Sequence, residues 1–154
     1  MGYRMKAQYV FENIEFERGI EPKEAMGIGR RALIEKWINS VPDLKNINKY
    51  KIDKDLIINV RGDVFLSRRK IIELPEYIQF GKVIGDFWIS GNGLISLRGC
   101  PRIVTGYFSC TDNNLTSLEG GPKLASHFLC YNNKKQFTEE EVRKECNIRG
   151  RIEV

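Results

Sequence analysis

A repeat with a period near 21 residues limits this chain more than any other feature of its sequence. The stretches VIGDFWISGNGLISL from Val83, VTGYFSCTDNNLTSL from Val104 and LASHFLCYNNKK from Leu124 align without gaps over their first halves. Their starts lie 21 and 20 residues apart. A weaker copy, VRGDVFLSRRKIIEL, starts at Val60, 23 residues before Val83. A period in this range means that each unit cannot bury its own apolar face and must stack on its neighbours.

The aligned columns carry physical meaning. Val64, Phe87, Phe108 and Phe128 share one position, and Leu66, Ile89, Cys110 and Cys130 stand two residues on. Alternation of this kind marks a strand with one buried face. Asn92, Asn113 and Asn133 each follow their Phe by five residues. An Asn there can hydrogen-bond backbone groups of neighbouring coils that burial would otherwise leave unsatisfied. Leu94 and Leu115, then Leu97 and Leu118, continue the apolar columns, with Ile71 and Leu74 in the first copy. Gly99 with Pro101, and Gly120 with Pro122, then turn the chain back. Each copy reads as one strand, one turn and one irregular return. The first copy has Arg69 where Asn is expected, and the last has Lys135 and the Phe137 region in place of its leucines. Terminal copies of a solenoid are often atypical.

The flanks read differently. Ala7, Val10, Phe11 and Ile14 have helical spacing. Pro22 suits the first turn of a second, short helix. A third is expected from Arg30, with Leu33, Ile34, Trp37, Ile38 and Val41 on one face. That face either packs on the open end of the solenoid or docks another chain. Residues 49–60 read as a first strand. Thr138 to Glu141 form a capping box, which predicts a helix to about Cys146. The ending IRGRIEV repeats the spacing of VRGDVFL and predicts one more rung. The expected fold is therefore α+β. It comprises a helical N-terminal cap over 1–48, a leucine-rich-repeat-like solenoid of stacked strands over 49–137 (period 20–23), and a C-terminal helix and strand cap over 138–154.

The pattern F-x-C-x-x-N-x-L-x-x-L, best carried by Phe108, Cys110, Asn113, Leu115 and Leu118, resembles the leucine-rich-repeat core. More narrowly, GYFSCTDNNLTSLEGGPK resembles the repeats of a family of bacteriophage (T4-like phage) proteins that read G-D-F-x-C-x-x-N-x-L-T-S-L-E-G-x-P-K. The segments FERGIEPKEAMGIG and FTEEEVRKECNIRGRIEV are similar to other parts of that family. The resemblance implies an accessory phage protein in the cytoplasm of an infected bacterium. It would bind and inhibit a host protein, a defence or toxin–antitoxin enzyme.

Composition agrees with a single soluble domain. The chain has 154 residues, 42% hydrophobic and 29% charged, with a net charge of +5. No apolar run approaches the ~20 residues needed to span a bilayer, and the N-terminal stretch lacks the apolar core of a signal peptide. Residues 61–137 carry 10 basic and 6 acidic groups, so most of the excess lies in the repeats. The one dense cluster is Arg68-Arg69-Lys70.

Several motifs invite chemistry that their context does not support. Gly27-Ile28-Gly29-Arg30-Arg31-Ala32 fits a dinucleotide fingerprint, but no strand is predicted before it, and a glycine hinge between two helices is expected instead. Arg61-Gly62-Asp63 spells an adhesion tripeptide but occupies the start of a repeat, as Gly85-Asp86 does one copy later. Asn114-Leu115-Thr116 is a glycosylation acceptor only in a secreted protein. With one histidine, His127, the chain has no two-histidine zinc site. The cysteines at 100, 110, 130 and 146 form no C-x-x-C pair. Cys110 and Cys130 fall in the buried column, and His127 stands an odd number of residues from Cys130, hence on the other face. No catalytic residue, cofactor, metal or membrane partner is predicted.

Positions between the buried ones form a second set of columns: Asp63, Asp86, Tyr107, His127; Phe65, Trp88, Ser109, Leu129; and Ser67, Ser90, Thr111, Tyr131. Aromatic residues at such positions are frequent binding hot spots. The expected protein-binding face comprises Phe65, Ser67, Arg68, Asp86, Trp88, Ser90, Tyr107, Ser109, Thr111, His127, Leu129 and Tyr131. The alternative covers these aromatics with the N-terminal helices. A second reading is a nucleic-acid binder using Arg61, Arg68, Arg69, Lys70, Arg98 and Arg102 with interleaved Trp88 and Tyr107.

Overall fold

The computed structural model describes residues 22–45 and 50–154. The first predicted helix, on Ala7 to Ile14, lies outside the described residues. From Pro22 the chain forms α1 (Pro22–Ser40) and a single turn of helix, α2 (Pro42–Lys45). The strands β1 (Tyr50–Ile52), β2 (Ile58–Arg61), β3 (Val64–Phe65), β4 (Phe80–Ile84), β5 (Phe87–Trp88), β6 (Ile103–Ser109) and β7 (Leu124–Leu129) follow. The helix α3 (Glu139–Glu145) and the short strands β8 (Asn147–Ile148) and β9 (Ile152–Glu153) complete the chain.

The repeats wind into a β-solenoid of about four turns. Val60 pairs with Val83, Val83 with Val104, Val104 with Ala125, and Ala125 with Ile148, all in parallel. A second column runs through Val64, Phe87, Phe108, Phe128 and Ile152. Each of these side chains is buried except that of Ile152, which is half-buried. The phenylalanines pack ring to ring, with centroids 5.9 Å apart for Phe87 and Phe108 and 5.1 Å for Phe108 and Phe128. The returns contain turns and bends but no helix.

The predicted asparagine ladder is present. Asn113 is buried, and its Oδ1 accepts from the amides of Asn92 (3.0 Å), Gly93 (2.9 Å) and Leu94 (3.0 Å) one coil earlier. Its Nδ2 donates to the carbonyls of Ile89 (3.0 Å), Cys110 (3.0 Å) and Thr111 (3.2 Å). Asn92 binds the amides of Arg69 and Ile71 and the carbonyls of Leu66 and Ile89. Asn133 binds the Leu115 amide and the carbonyls of Cys110 and Cys130. Every asparagine thus reaches back to the preceding coil. This explains the departure at Arg69: the first coil has no predecessor, and Arg69 instead pairs with Asp43 of α2.

Glycines enter where coils touch. Gly120 has φ +85°, and a Cβ on it would lie 2.8 Å from the Arg98 amide nitrogen. Gly99 has φ +88° and would meet the Ile78 carbonyl oxygen at 2.6 Å. Only glycine meets both demands.

Four expectations need correction. The single strand expected over 49–60 is, from Tyr50 on, two antiparallel strands, β1 and β2. Asp53 makes the turn by accepting from the amides of Asp55 (2.9 Å) and Ile57 (3.0 Å), and the Ile57 bond helps to hold its carboxyl below the usual range. The helix from Arg30 and the short helix at Pro22 are one continuous helix, so Gly27 and Gly29 lie within α1 and form no hinge. A helix tolerates glycine at about 1 kcal/mol when its neighbours hold it. Finally, the gapless alignment misplaces the start of the fourth copy, where Leu124 pairs with Ile103 and not with Val104. That copy lacks the glycine before its corner. Thr105 and Gly106 together oppose Ser126, a bulge that the Ser126 hydroxyl closes by donating to the Thr105 carbonyl.

The flanking elements pack on this column. α1 turns Ile34 and Ile38 into the core and sets Trp37 edge-on to Phe80, with centroids 6.3 Å apart. The Arg31 guanidinium donates to the carbonyls of Ile52 and Asp53. The predicted capping box holds α3: Thr138 Oγ1 accepts from the Glu141 amide, and Glu141 accepts from the Thr138 amide. The predicted last rung is β8 and β9, both paired with β7.

Asn113→Ala removes a side chain that serves six backbone groups, and each buried group left unpaired costs about 1–3 kcal/mol. Urea unfolding of this variant is expected to show a loss of about 3 kcal/mol or more. The neighbouring exposed change Asn114→Ala is expected to shift stability by less than about 0.5 kcal/mol. Equal losses in the two variants would contradict the ladder.

Candidate functional site

The sheet pairs Phe65 with Trp88, Trp88 with Ser109, Ser109 with Leu129, and Tyr107 with His127, as the aligned columns require. Trp88, Tyr107 and His127 lean together into one stack. The Trp88 and Tyr107 rings lie 6.1 Å apart at 15°, and those of Tyr107 and His127 lie 4.2 Å apart at 17°. All three are half-buried. Phe65 (47% exposed) precedes Trp88 in its own column, and Tyr131 (37%) stands in the next column along the strands.

The column beside this stack holds the solenoid corner. Asp63 Oδ1 accepts from the Asp86 amide at 2.8 Å, and Asp86 Oδ1 accepts from the Tyr107 amide at 2.8 Å. His127 Nδ1 accepts from the Arg151 amide at 2.8 Å. The acceptor nitrogen carries no proton, so the ring's N–H is Nε2. In every coil but that of Tyr107, one side chain thus holds the next coil's backbone at this corner, and Asp63 of the Arg-Gly-Asp tripeptide is one of them.

Two members of the predicted face are buried instead. Ser109 is 2% exposed and Thr111 4%. Ser109 sits in the second column between the larger Trp88 and Leu129, and its hydroxyl bonds that of Ser90 at 2.7 Å. Ser67 and Ser90 are half-buried, and the Ser67 hydroxyl accepts from the Ser90 amide. The serines therefore serve the stack of coils, and the aromatics and Leu129 make up the outward part of this face. Arg68 is exposed in the turn after β3 with φ +57°, a left-handed backbone shared by Gly91 (+66°), Asp112 (+55°) and Asn132 (+54°) in later coils.

The basic residues of the nucleic-acid reading do not form one stripe. Arg68, Arg69 and Lys70 lie in the turn after the strands, whereas Arg102 directly precedes β6 at their other end. Base stacking needs a free ring face. Both faces of Tyr107 are taken by Trp88 and His127, and Gly150 lies against the His127 ring. Among the described residues Trp88, at the end of the stack, has a ring partner on one face only.

All four cysteines are free and buried. Burial pushes the Cys130 and Cys146 thiols up to about 12, and it raises those of Cys100 and Cys110 as well. Neighbouring Cys130 and Cys100 raise Cys110 further. Such thiols are poor nucleophiles. Among the described residues no group of three His, Cys, Asp or Glu side chains is placed to hold a metal ion, and no helix is long and apolar enough to cross a membrane.

Sequence reasoning missed the outer side of the first strand segments, where Arg61, Lys82, Ile84 and Thr105 are exposed, each beside a buried valine. The alternation around Val60, Val83 and Val104 carries that information, but the aromatic columns drew the comparison elsewhere. The class these features define is a parallel β-solenoid with an aromatic outer face. Comparison with protein families, curated proteins and solved structures finds no match to this chain.

Two outcomes follow. DTNB is expected to label none of the four thiols in the native protein within an hour and all four in guanidinium chloride; rapid native labelling would contradict their burial. Arg68→Gly removes a left-handed arginine, a conformation that costs about 1–2 kcal/mol. Thermal melts are expected to show a gain of about 0.5–1 kcal/mol after the entropy of the added glycine is counted.

Proposed function

We propose that this chain is a non-catalytic protein-binding module whose aromatic sheet face docks a partner protein. The observation that carries the reading is the ring stack of Trp88, Tyr107 and His127, together with the exposed Phe65 and Tyr131. Half-buried aromatics fixed by their neighbours lose little side-chain freedom on binding, which favours them as anchors. The burial and raised thiol pKa values of the four cysteines agree with a surface that acts by contact rather than by reaction.

The finer reading follows the sequence resemblance. The solenoid is a leucine-rich-repeat-like unit with helical segments capping its ends, and the chain is an accessory protein of a bacteriophage. Its partner is a host protein, a defence or toxin–antitoxin enzyme, which it inhibits by occlusion in the host cytoplasm. The covering of both Tyr107 faces and the separation of Arg68, Arg69 and Lys70 from Arg102 favour this reading over nucleic-acid binding.

The test is affinity capture from infected host lysate with wild type beside a Trp88→Ala/Tyr107→Ala/Tyr131→Ala variant. A specific host protein retained by the wild type and lost by the variant is expected. Equal retention by both would refute the aromatic face, and retention of nucleic acid with a steep salt slope would replace the protein partner.

A further inference from the structure

The outer side of the first strand segments differs chemically from the aromatic face around the corner. Each coil places a basic residue there or at its margin: Arg61 on β2, Lys82 on β4, Arg102 before β6, Lys123 before β7 and Arg149 after β8. Lys123 pairs with Glu145. Arg61, Lys82, Arg102 and Arg149 are exposed, and their side chains have no ion-pair or hydrogen-bond partner among the described residues.

No carboxylate points outward from these strand segments. The carboxylates at the margins of this face are engaged: Glu145 pairs with Lys123, Asp53 accepts from the Asn59 side chain and from the amides of its own turn, and Asp63 and Asp86 each hold an amide of the next coil. The centre of the face is apolar, with Ile84 44% exposed and Ile103 and Leu124 half-buried.

We propose that this face receives an acidic protein surface with an apolar centre, forming the second half of the docking site proposed above. The proposal rests on that reading of the chain as a protein binder. Three features argue for it. First, the basic residues are unneutralised within the described fold, so an acidic partner completes them. Second, an apolar centre with a charged rim matches the anatomy of protein interfaces, whereas nucleic-acid interfaces are more polar throughout. Third, size requires both faces. Rungs spaced about 4.8 Å apart make this one roughly 19 by 15 Å, about 300 Å², against about 800 Å² per partner in a stable complex. A partner that wraps the corner reaches the aromatic stack as well.

The test uses the full chain and three fluorescent probes of equal length in anisotropy titrations: a Glu/Leu peptide, a Lys/Leu peptide and oligothymidylate. The wild type is expected to bind the Glu/Leu peptide, to bind the Lys/Leu peptide at least tenfold more weakly, and to lose affinity with added salt. Arg61→Glu/Arg102→Glu/Arg149→Glu is expected to weaken the Glu/Leu peptide at least tenfold. The milder Arg61→Gln/Arg102→Gln/Arg149→Gln should lose part of that affinity with an unchanged circular dichroism spectrum. Lys144→Glu on α3 should bind as wild type. Tighter binding of oligothymidylate than of the Glu/Leu peptide would assign the face to phosphates and overturn the proposal, as would undetectable Glu/Leu binding or charge variants that bind it undiminished. A Trp88→Ala/Tyr107→Ala variant separates the two readings. If it captures host protein like the wild type while the charge variants lose the acidic peptide, the aromatic face fails and the basic face stands.

Discussion

A buried amide that serves two coils at once is the interaction on which this fold depends. A solenoid turn exposes backbone amides and carbonyls toward the next coil, where water cannot reach them. Asparagine alone among short side chains offers both a donor pair and an acceptor at that distance. Asn113 uses both ends, accepting from three amides of the preceding turn and donating to carbonyls of its own turn and the preceding strand. Because every asparagine reaches backward, the stack has a direction. Its first coil needs no asparagine, and Arg69 there faces Asp43 of α2 instead.

The same logic repeats at the corner with different chemistry. Asp63, Asp86 and His127 each accept the amide of the residue above. Tyr107 occupies that column too but offers its ring to the stack, and the bulge opposite Ser126 takes over, with the Ser126 hydroxyl bonding the Thr105 carbonyl. Shape and surface are therefore linked. The residues that would make the most obvious exposed polar face are engaged in holding the coils, and the aromatic rings remain on the outside.

Much of this was legible because a repeat supplies its own alignment. The spacing of Phe87, Phe108 and Phe128 placed the core column, and Asn92, Asn113 and Asn133 placed the ladder, since one register explains both. The capping box at Thr138 was readable because it is local, needing only residues three apart. What escaped depended on three-dimensional partners. Gly27 and Gly29 read as a hinge, but α1 runs through them, with Ile34 and Ile38 fixed in the core and Trp37 set against Phe80. The hairpin of β1 and β2 hinges on Asp53 capturing amides two and four residues on, a turn that an apolar count of 49–60 does not register. Ser109 and Thr111 alternate correctly for the outer face, yet both are buried. Alternation fixes the side of a sheet, and the size of neighbours fixes exposure.

The chemistry of the chain follows from where it can be placed. A core built of phenylalanine, aliphatic residues and cysteine, with its amides committed to neighbouring coils, leaves little that can react. Substitutions inside are felt along the stack, because each residue touches the coil before and after it. Outward positions are free of that constraint. On consecutive faces of the solenoid they hold aromatic rings on one side and, on the other, exposed arginine and lysine with no ion-pair partner among the described residues, around an isoleucine. Both sets ride on strands whose register the buried columns fix, so a rung spacing of about 4.8 Å sets the distance between successive outward side chains. For the docking proposed above, contacts whose positions are set in advance lower the entropy cost of association.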